Sequence, residues 1–211
     1  MIQRNFSQSG FSLVETLVAI SLLLLIIVGP MVISAQTAKS STFASEQIQA
    51  FFLAQEGLEL AQKARDDLRL EEFDDIINGG GASLGDGWTD FTDSSGTYAD
   101  CFSGSGCGLD WKDSVANNNE LNVISCSTLS DCRLYLSTVI NDRSQFTYNG
   151  ALTDIKPFTR QIRFDDEDSS GNPLDTDKEI RIISTVTWRT GSLVADQKVE
   201  VESYLYAEGR N

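Results

Sequence analysis

Three sets of residues in this chain have the types and spacing to do chemistry. The first is Gly10–Phe11 with Glu15 close behind. A cut between Gly10 and Phe11 would give Phe11 a free cationic amine, four residues ahead of the Glu15 carboxylate. In a low-dielectric setting the two charges attract strongly, so the Phe11 amine of one chain can seat against Glu15 of a neighbour. The second set is Cys101, Cys107, Cys126 and Cys132, spaced as Cys-x5-Cys twice. The third is an acidic run from Asp165 to Asp177. Within it Asp166, Asp168, Ser170, Gly171 and Asp177 fall on the ligand and turn positions of a calcium loop, which asks for hard oxygen donors and a turn glycine. That match is degenerate: Asp177 stands where a bidentate Glu is usual, Pro173 lies inside, and strand-like sequence flanks it. A solvated acidic hairpin loop is the plainer reading. There is no His in the chain, which removes the commonest general base and metal ligand. No nucleophile stands beside a base and no glycine loop suits a phosphate, so no enzyme is expected, and no cofactor beyond the weak calcium candidate.

The elements that must position these residues begin with a membrane-length run. From Thr16 to Ala38 no residue is charged; as a helix this stretch would be roughly 35 Å long, enough for a hydrocarbon core of about 30 Å. Glu15 heads the run, and an acid at that place needs a partner. Arg4 precedes the run and no positive cluster follows it closely, so the start of the chain should stay cytoplasmic and the rest face outward. Outside the cytoplasm an even cysteine count favours disulfides. Three pairings are open; Cys101–Cys107 with Cys126–Cys132 is preferred because each closes a small loop. Zinc is the alternative, though its usual tighter spacing is missing. Lys plus Arg is 16 against 31 for Asp plus Glu, a net charge of −15; so acidic a chain, without a basic cluster, is not expected to bind nucleic acid.

The short start with Arg4, the Gly10–Phe11 junction, Glu15 and the apolar run behind them resemble the type IV prepilin signal, shared by pilins and by the pseudopilins of type II secretion. The resemblance implies a prepilin peptidase that cuts after Gly10 and N-methylates Phe11. It implies assembly through Phe11, Glu15 and the helix around Pro30, with other pilin subunits and an inner-membrane assembly machinery as partners. Two other readings of the run are an ordinary secretory signal, cut near Ile33–Ser34–Ala35, and an uncut anchor in which Glu15 reaches back to the headgroups.

Behind the span the helical pattern continues without proline to about Leu70. Apolar residues recur at Ala44, Ile48, Phe51, Leu58, Ala61 and Leu68, with Ala54 and Ala64 nearby, marking one face. Phe11 to Leu70 as one helix would be roughly 90 Å long, too long for one small domain to cover. Gly29–Pro30 is either a tolerated kink or a weak point that extends in a filament, and Gly57 is either tolerated or allows a close approach. From Glu71 to Asp131 glycine clusters such as Gly79–Gly80–Gly81 and Gly85–Asp86–Gly87, with Asn117–Asn118–Asn119, mark turns and loops, among which short strands are expected. Strands are expected at Arg133–Ile140, Phe158–Phe164, Glu179–Arg189 and Lys198–Tyr206, the last two joined through Thr190–Gly191–Ser192. The expected layout is thus α+β and pilin-like. Residues 1–10 form a leader, 11–38 a transmembrane or filament-core helix, and 39–70 the second half of that helix packed on the head. Residues 71–132 form a variable loop-rich region and 133–211 an antiparallel sheet. The expected function is that of a minor pilin in a type IV pilus, held in the cytoplasmic membrane as a precursor and then placed in a surface or periplasm-spanning filament. Alternatives are a type II secretion pseudopilin and a membrane-anchored adhesion module that never assembles.

Overall fold

A computed structural model describes residues 10, 12–111, 121–128, 131–140, 143–148, 155–190 and 195–207. The leader with Arg4, Phe11, the Asn117–Asn119 run and Gly191–Ser192 lie outside the described residues. The chain divides into two compact units, Met1–Ser45 and Glu46–Asn211.

The first unit is helical from Leu13, the start of α1, which runs Leu13–Asn78 and so continues into the second unit. Its large apolar residues from Leu13 to Ile33 are all at least 50% exposed. Burying each would stabilise by about 1.5–3 kcal/mol, so this segment is built for a medium other than water. Among the described residues α1 is the helix long and apolar enough to cross a membrane.

The second unit, the head, lays its part of α1 against a seven-stranded antiparallel sheet. The strands are β1 Cys107–Trp111, β2 Leu121–Ser125, β3 Arg133–Ile140, β4 Arg143–Thr147, β5 Ile155–Asp165, β6 Glu179–Trp188 and β7 Gln197–Tyr206. The four strands expected from alternation are all present, β5 being longer at both ends. β5 is the hub. One edge pairs with β6 from Thr159 to Asp165, and β6 pairs with β7. The other edge is shared: β3 pairs at Arg133–Thr159 and β1 at Cys107–Ile162. Alternation aims Phe158, Arg160, Ile162 and Phe164 of β5 inward, and all four are buried. A core of Leu60, Ala61, Trp88, Phe91, Leu109, Phe164 and Ile180, among others, lies between helix and sheet.

The helix face that meets the sheet overlaps the expected one at Ala54, Ala61 and Ala64 and is otherwise rotated from it. Ala50, Leu53, Ala54, Gly57, Leu60, Ala61 and Ala64 are buried, whereas Ala44, Ile48 and Phe51 are exposed; Leu58 and Leu68 pack at the margin. The reason is size. A Cβ on Gly57 would sit 2.3 Å from Ser184 Oγ and 3.3 Å from Arg160 Cδ, so only a face of small residues lets the backbone come this close.

α1 also ends later than expected, at Asn78 rather than near Leu70. Nothing in Glu71–Asn78 breaks a helix. Termination is by Gly79, whose φ of 75° is the left-handed conformation that glycine tolerates. The Gly80 N–H then donates to the Asp75 carbonyl at 2.8 Å, the long bond of a Schellman cap. The region that follows is more ordered than its glycines suggest. Asp86–Thr92 forms a short helix, α2, beginning at the glycine cluster read as a turn. The Glu72 carboxylate accepts N–H bonds from Gly85 at 2.7 Å and Gly87 at 2.9 Å, and so ties the start of α2 to α1. Trp88 Nε1 donates to the Thr176 carbonyl at 2.9 Å, which pins the loop between β5 and β6.

Candidate assembly site

Gly10 is exposed, and an added Cβ there would meet nothing within 4 Å. Ser12 opens α1, its carbonyl accepting the Thr16 N–H at 3.2 Å. Glu15 lies in the first turn, where the positive end of the helix dipole favours a carboxylate. The same end disfavours a cationic amine, so an amine at residue 11 would need a carboxylate close by. Ser12-x-x-Glu15 also has the spacing of a capping box, a helix-start signal that the sequence reading did not use.

Further along, α1 stays helical through Gly29 and Pro30. Proline lacks an N–H, so the Ile26 carbonyl loses its usual donor. Two hydroxyls in the apolar stretch turn back on their own helix: Ser21 donates to the Leu17 carbonyl at 2.8 Å and Thr37 to that of Ile33 at 2.9 Å. Satisfying polar groups internally is what an apolar medium requires.

The cysteines are paired Cys101–Cys107 and Cys126–Cys132. All four are buried. They lie where β1 meets its neighbours: Cys107 pairs with Ile162 of β5 and with Ser125 of β2, and Cys132 leads into β3. The Cys132 carbonyl accepts the Arg160 N–H at 3.0 Å. The two small loops are therefore stitched to the strand hub.

The acidic run forms a hairpin between β5 and β6. The Leu174 N–H donates to the Asp166 carbonyl at 2.7 Å, the Asp168 N–H to that of Asn172 at 2.8 Å, and Glu167 bridges to Pro173. Gly171, with φ of 80°, makes the turn. Asp168 uses both oxygens within the loop: Oδ1 accepts N–H bonds from Ser170 at 2.8 Å and Asn172 at 2.9 Å, and Oδ2 accepts from Asn172 Nδ2 at 2.9 Å. The Asn172 side chain foremost holds the Asp168 carboxyl below its ordinary range. Asp166, Ser170 and Asp177 are strung along the exposed hairpin and the turn after it. Among the described residues no three His, Cys, Asp or Glu side chains gather as a metal site.

Inside the head a charge network stands out that the sequence reading missed. Arg160 is fully buried. Its guanidinium donates to Glu56 of α1 at 2.8 Å and to the Tyr148 hydroxyl at 2.8 Å. That hydroxyl donates back to the Arg160 carbonyl at 3.2 Å. Burial disfavours the Arg160 charge, yet Tyr148 and Glu56 together outweigh it and hold the guanidinium above its ordinary value. Burial likewise raises the Tyr148 hydroxyl, with Arg160 pulling the other way. Asp110, also buried, accepts from the Thr147 hydroxyl, from the Tyr148 N–H at 3.0 Å and from the Trp111 N–H at 2.9 Å. An arginine on the inward side of an alternating strand, with Glu56 on the helix, was the available signal. The network locks helix to sheet, and its work is to hold the head together.

Compared with known families, residues 5–29 match the prokaryotic N-terminal methylation motif, the prepilin-type signature. The match takes in Gly10, Phe11, Glu15 and most of the apolar run before Pro30. Nothing among curated proteins or solved structures matches the chain. Together with the long apolar helix and the C-terminal antiparallel sheet, the motif fits a type IV pilin-like protein. It supports a membrane-anchored precursor of the pilin or pseudopilin kind, and it implies processing by prepilin peptidase and assembly with other pilin-like subunits. The motif points to a structural protein.

Proposed function

We propose that this chain is a minor pilin, a subunit of a type IV pilus that is cut after Gly10, N-methylated on Phe11 and packed into a filament through its N-terminal helix. The observation that carries this reading is the segment on which most of the motif lies: an apolar helix from Leu13 to Ile33 that stands exposed among the described residues, with Glu15 as its acid at the head. In the membrane that surface is covered by lipid; in a filament it is covered by other helices. The Phe11 amine and Glu15 then set the register between neighbours, and Gly29–Pro30 is the point where the helix can extend as the subunit leaves the bilayer. The work is associative, and no catalytic step is assigned. A minor position is favoured by the head, which is acidic and held together by disulfides and by a buried arginine paired with a half-buried glutamate.

Intact mass and N-terminal sequencing of the mature protein from its own cells test the processing. A chain beginning at methylated Phe11 is expected; a start near Ala35, or an intact Met1, would end the reading. Glu15→Ala should be cut normally yet fail to enter filaments, and its normal incorporation would remove Glu15 from the register role. Abundance in purified filaments separates a minor from a major subunit. A pseudopilin would instead be needed for protein secretion and absent from surface pili.

A further inference from the structure

The last turns of α1 carry a surface that the head does not use. Leu70, Phe73 and Ile77 follow one another at three and four residues and so share a helix face. They are 68%, 41% and 80% exposed, and none belongs to the core beneath the sheet. Single exposed apolar residues are ordinary, but a stripe is not. Acids flank it on the same side of the helix: Asp66, four residues before Leu70, and Asp74, four after it, are both exposed. A helix C-terminus attracts cations, yet the last turn of α1 has no basic residue. From Asp66 to Asp93 nine residues are acidic and Arg69 alone is basic. That arginine lies over the Phe73 ring, 5.9 Å from its centroid, so the face already accepts a guanidinium on its aromatic member.

We propose that this face docks a different protein, one that presents Lys and Arg around an apolar stripe. A second copy of this chain is disfavoured, because it would bring one acidic border against another. An anionic lipid surface is disfavoured for the same reason. A basic amphipathic partner would cover Leu70, Phe73 and Ile77, neutralise the border, and supply the cations that the helix end lacks. The proposal stands on the head and does not depend on the filament reading.

The test places a photo-cross-linking p-benzoylphenylalanine at Phe73 in the full chain, in its own cells. Irradiation should give an adduct with another protein, and mass spectrometry of the attached peptide should find more Lys and Arg than Asp and Glu. Adding Asp66→Lys and Asp74→Lys should cut adduct yield by about fivefold or more, since like charges across an interface oppose association. Both residues are exposed and outside the core, so the thermal midpoint of the head should hold, and measuring it separates a lost contact from misfolding. An adduct with a second copy or with lipid, no adduct, or one indifferent to the charge reversal would each overturn the proposal.

Discussion

The two halves of α1 put apolar residues to opposite uses. From Leu13 to Ile33 the residues are mostly Leu, Ile and Val, and they stand exposed. From Ala50 to Ala64 the buried face is mostly Ala, with Gly57 at its centre. Bulk without cover makes a helix that must find lipid or other helices. Small residues under cover make one whose backbone can lie close to a sheet. Apolarity alone does not distinguish the two; side-chain size does. The contrast also sorts what should break each half. The exposed half depends on its surroundings, whereas the covered half depends on what locks it to the sheet.

The strongest lock is Arg160 with Glu56. Glu56→Ala would leave the buried guanidinium without its carboxylate; the Glu56 side chain is 38% exposed, so solvent screens the pair and the cost falls toward the lower end of the about 3–5 kcal/mol of a fully buried pair. Arg160→Ala should cost a similar amount by opening a void beneath the helix and stranding the Tyr148 hydroxyl. Denaturant unfolding of the full chain in detergent micelles, followed by tryptophan fluorescence, measures both. Membrane association should not change, because the exposed half does not feel this lock. If either variant unfolds at the wild-type denaturant concentration, the ion pair does not hold the halves of the head together.

Next come the disulfides. Replacing Cys101 and Cys107 together by Ser should destabilise the head by about 2–4 kcal/mol, the usual range for a native cross-link. The same exchange at Cys126 and Cys132 should act similarly, since both bridges stitch loops to the β5 hub. Unfolding midpoints with and without reductant check this: the double-serine chain should lose its response to reductant at that bridge.

Much of this was legible in the sequence, and what escaped did so for identifiable reasons. The motif around Gly10, Phe11 and Glu15 is local, and so is the alternation that revealed β3, β5, β6 and β7. β1 and β2 were not placed, because Cys107–Trp111 is buried along nearly its whole length and has no alternation to read. The buried helix face is legible only in part: Ala54, Ala61 and Ala64 lie on it, but Ile48 and Phe51, whose apolar signal is stronger than that of Ala50, stand exposed because the space beneath the helix favours small side chains. The helix end was placed too early at a charge-rich segment that has no breaker before Gly79. Arg160 is the deepest case: its burial depends on Glu56 and Tyr148, which lie far from it in sequence and whose arrival no local pattern announces.

The small face can be tested by filling it. Gly57→Leu should cost about 1–3 kcal/mol, the range for forcing extra carbon into a packed interior. Gly57→Ala is more informative. It gains about 1 kcal/mol of helix propensity but sets its methyl against Ser184 Oγ, Ser184 Cβ and Arg160 Cδ. The Ser184 hydroxyl is buried and has no hydrogen-bond partner among the described residues. Ser184→Ala should therefore be neutral or stabilising alone, and combined with Gly57→Ala it should recover most of the loss. A double variant no better than Gly57→Ala would mean that the close approach is not set by this contact.

The smallest effect concerns the charge inside the covered half. Tyr148→Phe removes one hydroxyl that both accepts from Arg160 and donates to its carbonyl, so the head should lose about 1 kcal/mol at neutral pH. Burial raises the Tyr148 hydroxyl above its ordinary range. The unfolded chain therefore releases that proton first, so above about pH 10 folding retains a proton that the unfolded chain has lost, and stability falls as pH rises. Tyr148→Phe has no such proton to keep. The gap between wild type and Tyr148→Phe should therefore be full below the ordinary tyrosine range and close in alkali, while the exposed half of α1, which has no tyrosine, contributes nothing to the change. Unfolding midpoints of the two chains at neutral and alkaline pH decide it: a gap that stays constant would place the Tyr148 hydroxyl in water rather than beneath the helix.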